Sequence, residues 1–204
     1  MSDGSLRVIK LGGSLLNRPH LAEALKTWQH TLEPMQDVFL TGGGQLANAV
    51  RDLDKAHLLN QQISHWLAVD AMSVTTCIAS TLLPESRIVQ TMGDLGQTDT
   101  KRKFSLLDVR NILREEEPFR EGTRLPHSWA ATGDSIAARL AEMYDAEELV
   151  LLKSTLPNDC TDWHSAAKTG FVDQHFPLAV QTIKRAYCVN LADPAQCYWE
   201  PAII

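Results

Sequence analysis

Val8-Ile9-Lys10-Leu11-Gly12-Gly13-Ser14 sets a run of apolar and β-branched residues against a pair of glycines. Leu6 to Leu11 therefore predicts a buried strand entering a tight turn, since β-branched side chains suit a pleated backbone and glycine breaks it. Pro19 to Leu32 follows as a helix in which Leu21, Leu25, Trp28 and Leu32 recur at three or four residues and form one apolar face. The unit then recurs. Asp37 to Thr41 is a short apolar strand, Gly42-Gly43-Gly44 ends it, and Leu46, Ala49, Val50 and Leu53 continue as a helix. Strands alternating with helices, rather than strand pairs joined by short turns, point to an α/β layer fold with a mostly parallel sheet.

Leu58 to Leu82 contains neither proline nor glycine and carries Ile63, Trp66, Leu67, Met72, Val74 and Ile78 at helical spacing, which predicts one long, largely buried helix. Arg87 to Gln90 reads as a strand and Met92 to Lys103 as a loop. Leu106 to Glu117 fits either a strand turning into a helix or one helix, and Pro118 to Pro126 is an irregular connection. Thr132-Gly133-Asp134 introduces a helix over Ser135 to Tyr144, and Leu149 to Leu152 is an apolar strand. Thr155 to Lys168 reads as polar and irregular, Phe171 to Val180 as holding a short helix, Ala186 to Leu191 as a strand, with a last strand near Ile204. No repeat or linker interrupts the chain, so a single domain over 1–204 is expected.

The 204 residues, 44% hydrophobic and 22% charged, suit a folded globular protein with one core. A net charge of -6 argues against a nucleic-acid partner, which requires clustered Lys and Arg. The short run Lys101 to Lys103 is either solvated or a lid that closes on phosphate. No apolar stretch reaches membrane-spanning length, and no secretory leader is seen in Met1 to Arg7. Cys77, Cys160, Cys188 and Cys197 form no disulfide framework or zinc pattern. A cytoplasmic protein without a membrane partner is expected.

Two strand-to-glycine turns matter because parallel strands bring such turns together at the carboxyl edge of the sheet, where ligands bind. Glycine lets backbone N–H groups approach phosphate oxygens, and a following helix N-terminus adds favourable potential. Lys10 places a compact positive charge at the end of the first strand. Gly42, Gly44 and Ala47 also match the dinucleotide pattern G-x-G-x-x-A. That pattern needs an acidic residue about 20 residues on, at the end of a strand, where this chain has a helix containing Asp70. A G-x-x-x-x-G-K-[ST] segment is absent, so a P-loop enzyme is excluded.

Four segments in order resemble the amino-acid kinase superfamily: Val8 to Ser14, Leu40-Thr41-Gly42-Gly43-Gly44, Thr132 to Ala138, and Leu149-Val150-Leu151-Leu152-Lys153-Ser154. The resemblance implies a three-layer αβα sandwich in which ATP and a small acceptor lie end to end across the carboxyl edge, with Mg²⁺ bridging nucleotide oxygens. It implies that Lys10 stabilises the transferring phosphoryl group with Gly12, Gly13 and Ser14 beside it. Gly42, Gly43 and Gly44 would hold the acceptor, and Asp134 would orient the catalytic lysines. Read without the family, Asp134 is a carboxylate offsetting a helix dipole.

The usual Thr-Asp-Val-Asp-Gly-like nucleotide loop is missing. Lys153 and Ser154 either bind nucleotide phosphates in its place, or Lys153 caps the sheet edge. Lys168 is the nearest counterpart of a second family lysine. The short length, Trp129 to Ser135 and Gly170-Phe171-Val172-Asp173 look similar to a compact branch, the aminomethylfuran-methyl phosphate kinases of methanofuran biosynthesis, whose acceptor is a phosphomonoester. A carboxylate kinase and a noncatalytic nucleotide- or anion-binding protein on the same scaffold remain as alternatives. Arg51, Arg110 and Arg139 are all eligible to clamp the acceptor. The long apolar helix suits either the core or a homodimer surface. His57 and His65 read as ordinary helix histidines, Trp28 and Trp66 as core, and Cys160 with His164 as a chance pair rather than a metal site.

Overall fold

A computed structural model describes residues 5–96, 104–193 and 198–203. Its seven strands are β1 (Leu6–Leu11), β2 (Gln36–Thr41), β3 (Ser86–Val89), β4 (Phe104–Leu107), β5 (Glu148–Lys153), β6 (Arg185–Asn190) and β7 (Tyr198–Trp199). They form one sheet in the order β3-β4-β2-β1-β5-β6-β7. Every pairing is parallel except that of β7 with β6. The helices are α1 (Leu21–Gln29), α2 (Gly44–His57), α3 (Gln61–Leu82), α4 (Gly133–Met143), α5 (Trp163–Lys168) and α6 (Phe176–Ala179).

β1 runs through the middle, its register pairing Lys10 with Leu40 of β2 and with Leu151 of β5. All six of its residues are buried, as a strand covered on both faces must be. Period-two alternation divides them between two cores. Leu6 and Val8 join Ile136 and Leu140 of α4, whereas Ile9 and Leu11 join Leu21, Leu25 and Trp28 of α1. Lys10, in phase with Val8, falls on the α4 side.

Two expectations change and one open choice is resolved. α3 is a 22-residue helix, but its large apolar side chains do not make it a buried one: Ile63, Leu67, Val74, Ile78 and Leu82 are exposed, while Ser64, His65, Ser73, Thr75 and Thr76 are buried. Part of this polar face is satisfied by hydrogen bonds, Thr41 Oγ1 lying 2.9 Å from the hydroxyls of both Thr75 and Thr76 and the Ser73 hydroxyl donating to Asp108 at 2.6 Å. α2 likewise buries none of its residues. The polar stretch before Lys168 contains α5, started by a reciprocal cap in which the Asp162 side chain accepts from the Ser165 amide. Leu106 to Glu117 is the strand-then-helix alternative: β4 gives way to helical turns over Ile112–Glu116 and Glu117–Phe119. The basic run Lys101 to Lys103 and Cys197 lie outside the described residues. Among the described residues no helix is long and apolar enough to cross a membrane.

Candidate active site

The placement of Lys10 follows from its phase in β1. Its stem passes between two glycines, since a Cβ on either Gly42 or Gly133 would come within 3.2 Å of Lys10 Cε. Its Nζ lies 2.8 Å from Oδ1 of Asp134, the second residue of α4, and Lys153 at the end of the adjacent β5 places Nζ 2.7 Å from Oδ2. The Phe171 carbonyl accepts a further hydrogen bond from Lys153 at 2.8 Å. One buried carboxylate therefore holds two ammonium groups side by side.

Burial alone would raise the Asp134 pKa, but Lys10 and Lys153 outweigh it and hold this carboxyl at about 2. Burial lowers the Lys10 pKa, with Asp134 opposing the shift and Lys153 adding to it. Two cations fixed in a dry site stabilise negative charge that develops on a transferring phosphoryl group, and need no reorganisation to do so.

The glycine turns divide their labour. Gly12 donates its amide to Leu152 O and Gly42 donates to Leu11 O, both at 2.9 Å, so these N–H groups continue the sheet ladder rather than point at a ligand. Gly13 packs directly on Gly44: a Cβ on Gly13 would lie 2.3 Å from the Gly44 nitrogen, and Gly44 itself has φ of 54°. α2 starts at that point, and the first amides of a helix have no partner within it. Lys10, Gly13, Ser14 and Gly42 to Gly44 close one end of a cavity of about 370 Å³, whose walls are Val69, Met72, Ile136 and Trp129.

On the other side of Lys153 lies a more open cleft of about 520 Å³ bordered by Ser14, Ser154, Leu156, Pro157 and Phe171. A groove containing Asp134, Lys153, Lys168, Asp173, Arg51 and Trp129 joins the region. The Ser14 and Ser154 hydroxyls are 3.4 Å apart across the cleft. The triangle of Lys10, Asp134 and Lys153 thus stands between two cavities, an arrangement for donor and acceptor end to end. Lys153, rather than Lys168, pairs with Asp134; Lys168 is exposed on the groove wall.

The three arginines separate clearly. Arg139 is fully buried between Glu117 and Glu142, and Arg110 lies 3.5 Å from Asp70 on α3. Arg51 borders the cavity beside Gly42 to Gly44 and the groove, and has no carboxylate partner among the described residues. Its guanidinium lies 4.4 Å over the Trp129 ring, whose indole N–H donates to Asp54 at 2.5 Å. His65, read from sequence as an ordinary helix histidine, also lines the cavity beside Gly42 to Gly44, stacked on His127 at 4.8 Å. Burial and His127 lower its pKa to about 4, so the ring is neutral near pH 7. Among the described residues no group of three His, Cys, Asp or Glu is arranged to hold a metal, and Cys160 with His164 forms none.

The model of the amino acid kinase family matches residues 5–155, from the residue before β1 to just past Lys153. The chain belongs to the amino acid kinase family. As a member of that family it is an ATP-dependent phosphotransferase. It is 28% identical over 207 aligned residues, covering 93% of this chain and 89% of the other, to the [5-(aminomethyl)furan-3-yl]methyl phosphate kinase of Methanocaldococcus jannaschii. Its fold is that of the uridylate kinase from Archaeoglobus fulgidus, at a TM-score of 0.58 and 14% identity, with 90% of this chain and 89% of that one superimposed. The UMP kinase from Ureaplasma parvum superimposes at 0.56 and 14%, over 94% and 92% of the two chains. The amino acid kinase family sheet, with its glycine turns at the carboxyl edge, is thus the frame that presents Lys10, Asp134 and Lys153.

Proposed function

We propose that the chain transfers the γ-phosphoryl group of ATP to a phosphomonoester such as [5-(aminomethyl)furan-3-yl]methyl phosphate, yielding a diphosphate and ADP. The observation that carries this reading is the Arg51 guanidinium, which bonds the Asn48 amide oxygen but no carboxylate among the described residues, at the junction of the acceptor-side cavity and the groove leading to Lys153. A guanidinium clamps a phosphate with two parallel hydrogen bonds. A cavity of about 370 Å³ with Val69, Met72, Ile136 and Trp129 in its walls has the size and lining to hold a small ring-bearing acceptor beside Arg51.

In this reading an acceptor phosphate oxygen attacks the γ-phosphorus while the bond to the bridging oxygen of ADP breaks. The attacking oxygen is already ionised near neutral pH, so a strong general base is not required. Lys10 and Lys153 neutralise the equatorial oxygens, Asp134 fixes both ammonium groups, and the Gly13 and Gly44 turns hold the acceptor phosphate. Ser14, Ser154 and Lys168 line the side that would receive the nucleotide. Magnesium, when bound, would neutralise and orient the nucleotide phosphates.

The test is ADP release by purified chain with Mg-ATP and a panel of acceptors: the furan phosphate, UMP and small carboxylates. Turnover with the furan phosphate and not with carboxylates is expected. Release with carboxylates alone would move the reading to a carboxylate kinase, and calorimetric ATP binding without release would leave a noncatalytic binder. The exposed stripe Ile63, Leu67, Val74 and Ile78 on α3 supports a homodimer, and dependence on ATP suits a cytoplasmic setting.

A further inference from the structure

Asp173 lies beyond the family match, in the turn between α5 and α6, and makes hydrogen bonds out of proportion to its place in a loop. Its Oδ2 accepts from the Thr132 amide at 2.9 Å, the Thr132 hydroxyl at 2.9 Å and the Ser135 amide at 3.0 Å. Its Oδ1 accepts from the Ser135 hydroxyl and from the Phe176 amide at 3.1 Å. Thr132 is the residue before α4 and makes no side-chain cap of its own. The N-terminus of α4 is therefore capped by a carboxylate distant in sequence, and Asp134 sits within the turn so capped.

Two residues earlier, the Phe171 carbonyl accepts from Lys153 and its ring lies 4.9 Å from the same ammonium. A single tripeptide, Phe171 to Asp173, thus grips both ends of the Asp134–Lys153 pair. We infer that Asp173 is a positioning residue for phosphoryl transfer: it locks the first turn of α4 so that Asp134 meets Lys10 and Lys153, and it occupies the helix end that would otherwise attract a substrate phosphate. This inference rests on the kinase reading and extends it. Two of the backbone donors of that turn, the Thr132 and Ser135 amides, already bond a resident carboxylate, which disfavours a substrate phosphate there and leaves it to Lys10, Lys153, Arg51 and the turn at Gly13 and Gly44.

Asp173 also acts through its charge. The groups that bear on Lys10 are Asp134 on α4, Lys153 on β5, Asp173, and the buried Cys188 thiol of β6, which burial keeps protonated. Asp173 favours the charged form of Lys10. Removing its charge lowers the Lys10 pKa, and activity that requires the ammonium is then lost at lower pH.

Two variants separate position from charge. Asp173→Asn should lower kcat by on the order of 10²-fold, with KM for ATP little changed, and move the alkaline limb of the pH profile to lower pH. The double variant Thr132→Val with Ser135→Ala keeps the carboxylate and removes two of its hydroxyl donors. It should lower kcat to a smaller extent and leave the limb in place. Wild-type kcat in the double variant, or a fully active Asp173→Asn with an unmoved limb, overturns the inference. If the Asn variant does not fold, the kcat of the double variant decides. NMR titration of the Lys10 ε-carbon gives a readout independent of turnover: an unchanged Lys10 pKa in folded Asp173→Asn refutes the charge effect even if no acceptor is ever found. Absence of wild-type turnover would instead count against the kinase reading.

Discussion

The Lys10 ammonium lies 2.8 Å from Oδ1 of Asp134, and both residues are buried. Taking two charges out of water costs several kcal/mol per ion, which an excellent pair with further partners offsets. Asp134 obtains its further partner in Lys153, at 2.7 Å on its other oxygen. Lys10, Asp134 and Lys153 form a three-charge unit in which two ammonium groups share one carboxylate, and in the proposed reaction this surplus of positive charge would face the phosphates.

Replacing Lys10 with Ala removes the more buried of the two cations of that unit while leaving the Asp134–Lys153 pair. The far-UV circular dichroism should stay that of wild type and kcat should fall by on the order of 10²- to 10³-fold. Lys10→Arg should be nearly as inactive, because the gap between Gly42 and Gly133 that admits the lysine stem has no room for a planar guanidinium. A Lys10→Ala enzyme with near-normal turnover would remove this residue from the mechanism.

Asp134→Asn leaves the buried Lys10 and the part-buried Lys153 ammonium groups without the carboxylate they share, a change that typically costs about 3–5 kcal/mol. Its pH dependence has a defined sign. The folded pKa of about 2 lies below the ordinary value of 3.8, so the wild-type carboxylate contributes stability above pH 3.8, and that contribution is lost as pH falls toward 2. The shift corresponds to on the order of 2 kcal/mol. Urea unfolding curves for wild type and Asp134→Asn should therefore differ at neutral pH and approach one another in acid; a constant difference across that range would contradict the assignment of charge.

The sheet and its glycine turns were legible in sequence because burial on both faces leaves a continuous apolar run, and glycine marks its end. The pairing of Lys153 with Asp134 was not, since it depends on β5 lying beside β1 and on α4 returning to the same edge. Asp173 escaped for the same reason: the amides it caps are far away in the chain, and a carboxylate in a Gly-Phe-Val-Asp stretch carries no local sign of its partners. α3 misled because spacing reveals an apolar stripe without saying what covers it. Its Thr75 and Thr76 face inward because Thr41 and the Met72 carbonyl supply hydrogen bonds there, and Ser73 because Asp108 accepts from its hydroxyl. α5 was missed because its cap, Asp162 with Ser165, lacks the usual acidic residue in the third position.

His65 predicts an acid-sensitive element beside the acceptor-side cavity. Its pKa of about 4 lies below the unfolded value of 6.5, so the unfolded chain takes up the proton first. The stability contributed by the neutral ring is complete above pH 6.5 and declines as pH falls toward 4. Between pH 7 and pH 5 the loss should be roughly 1–2 kcal/mol. His65→Gln should flatten this dependence in thermal melts at the two pH values, whereas an unchanged slope would show that His65 is not the group being protonated.

The outer face of α3 yields the last test. Ile63 and Val74 are 56% and 50% exposed, and Leu67, Ile78 and Leu82 are each 41% exposed, so a contiguous apolar strip faces away from the sheet. Strips of this kind on a soluble chain mark association surfaces, and a twofold contact brings the same strip of two copies together. Leu67→Lys with Val74→Lys places like charges opposite each other across such a contact, where they cannot be buried without partners. Sedimentation equilibrium should report a dimer for wild type and a monomer for the double variant, with ADP release per chain nearly retained because neither residue borders the cavities at Lys10 and Lys153. A wild-type monomer at high concentration would assign the strip no partner copy, and an equally dimeric variant would move the contact to another face.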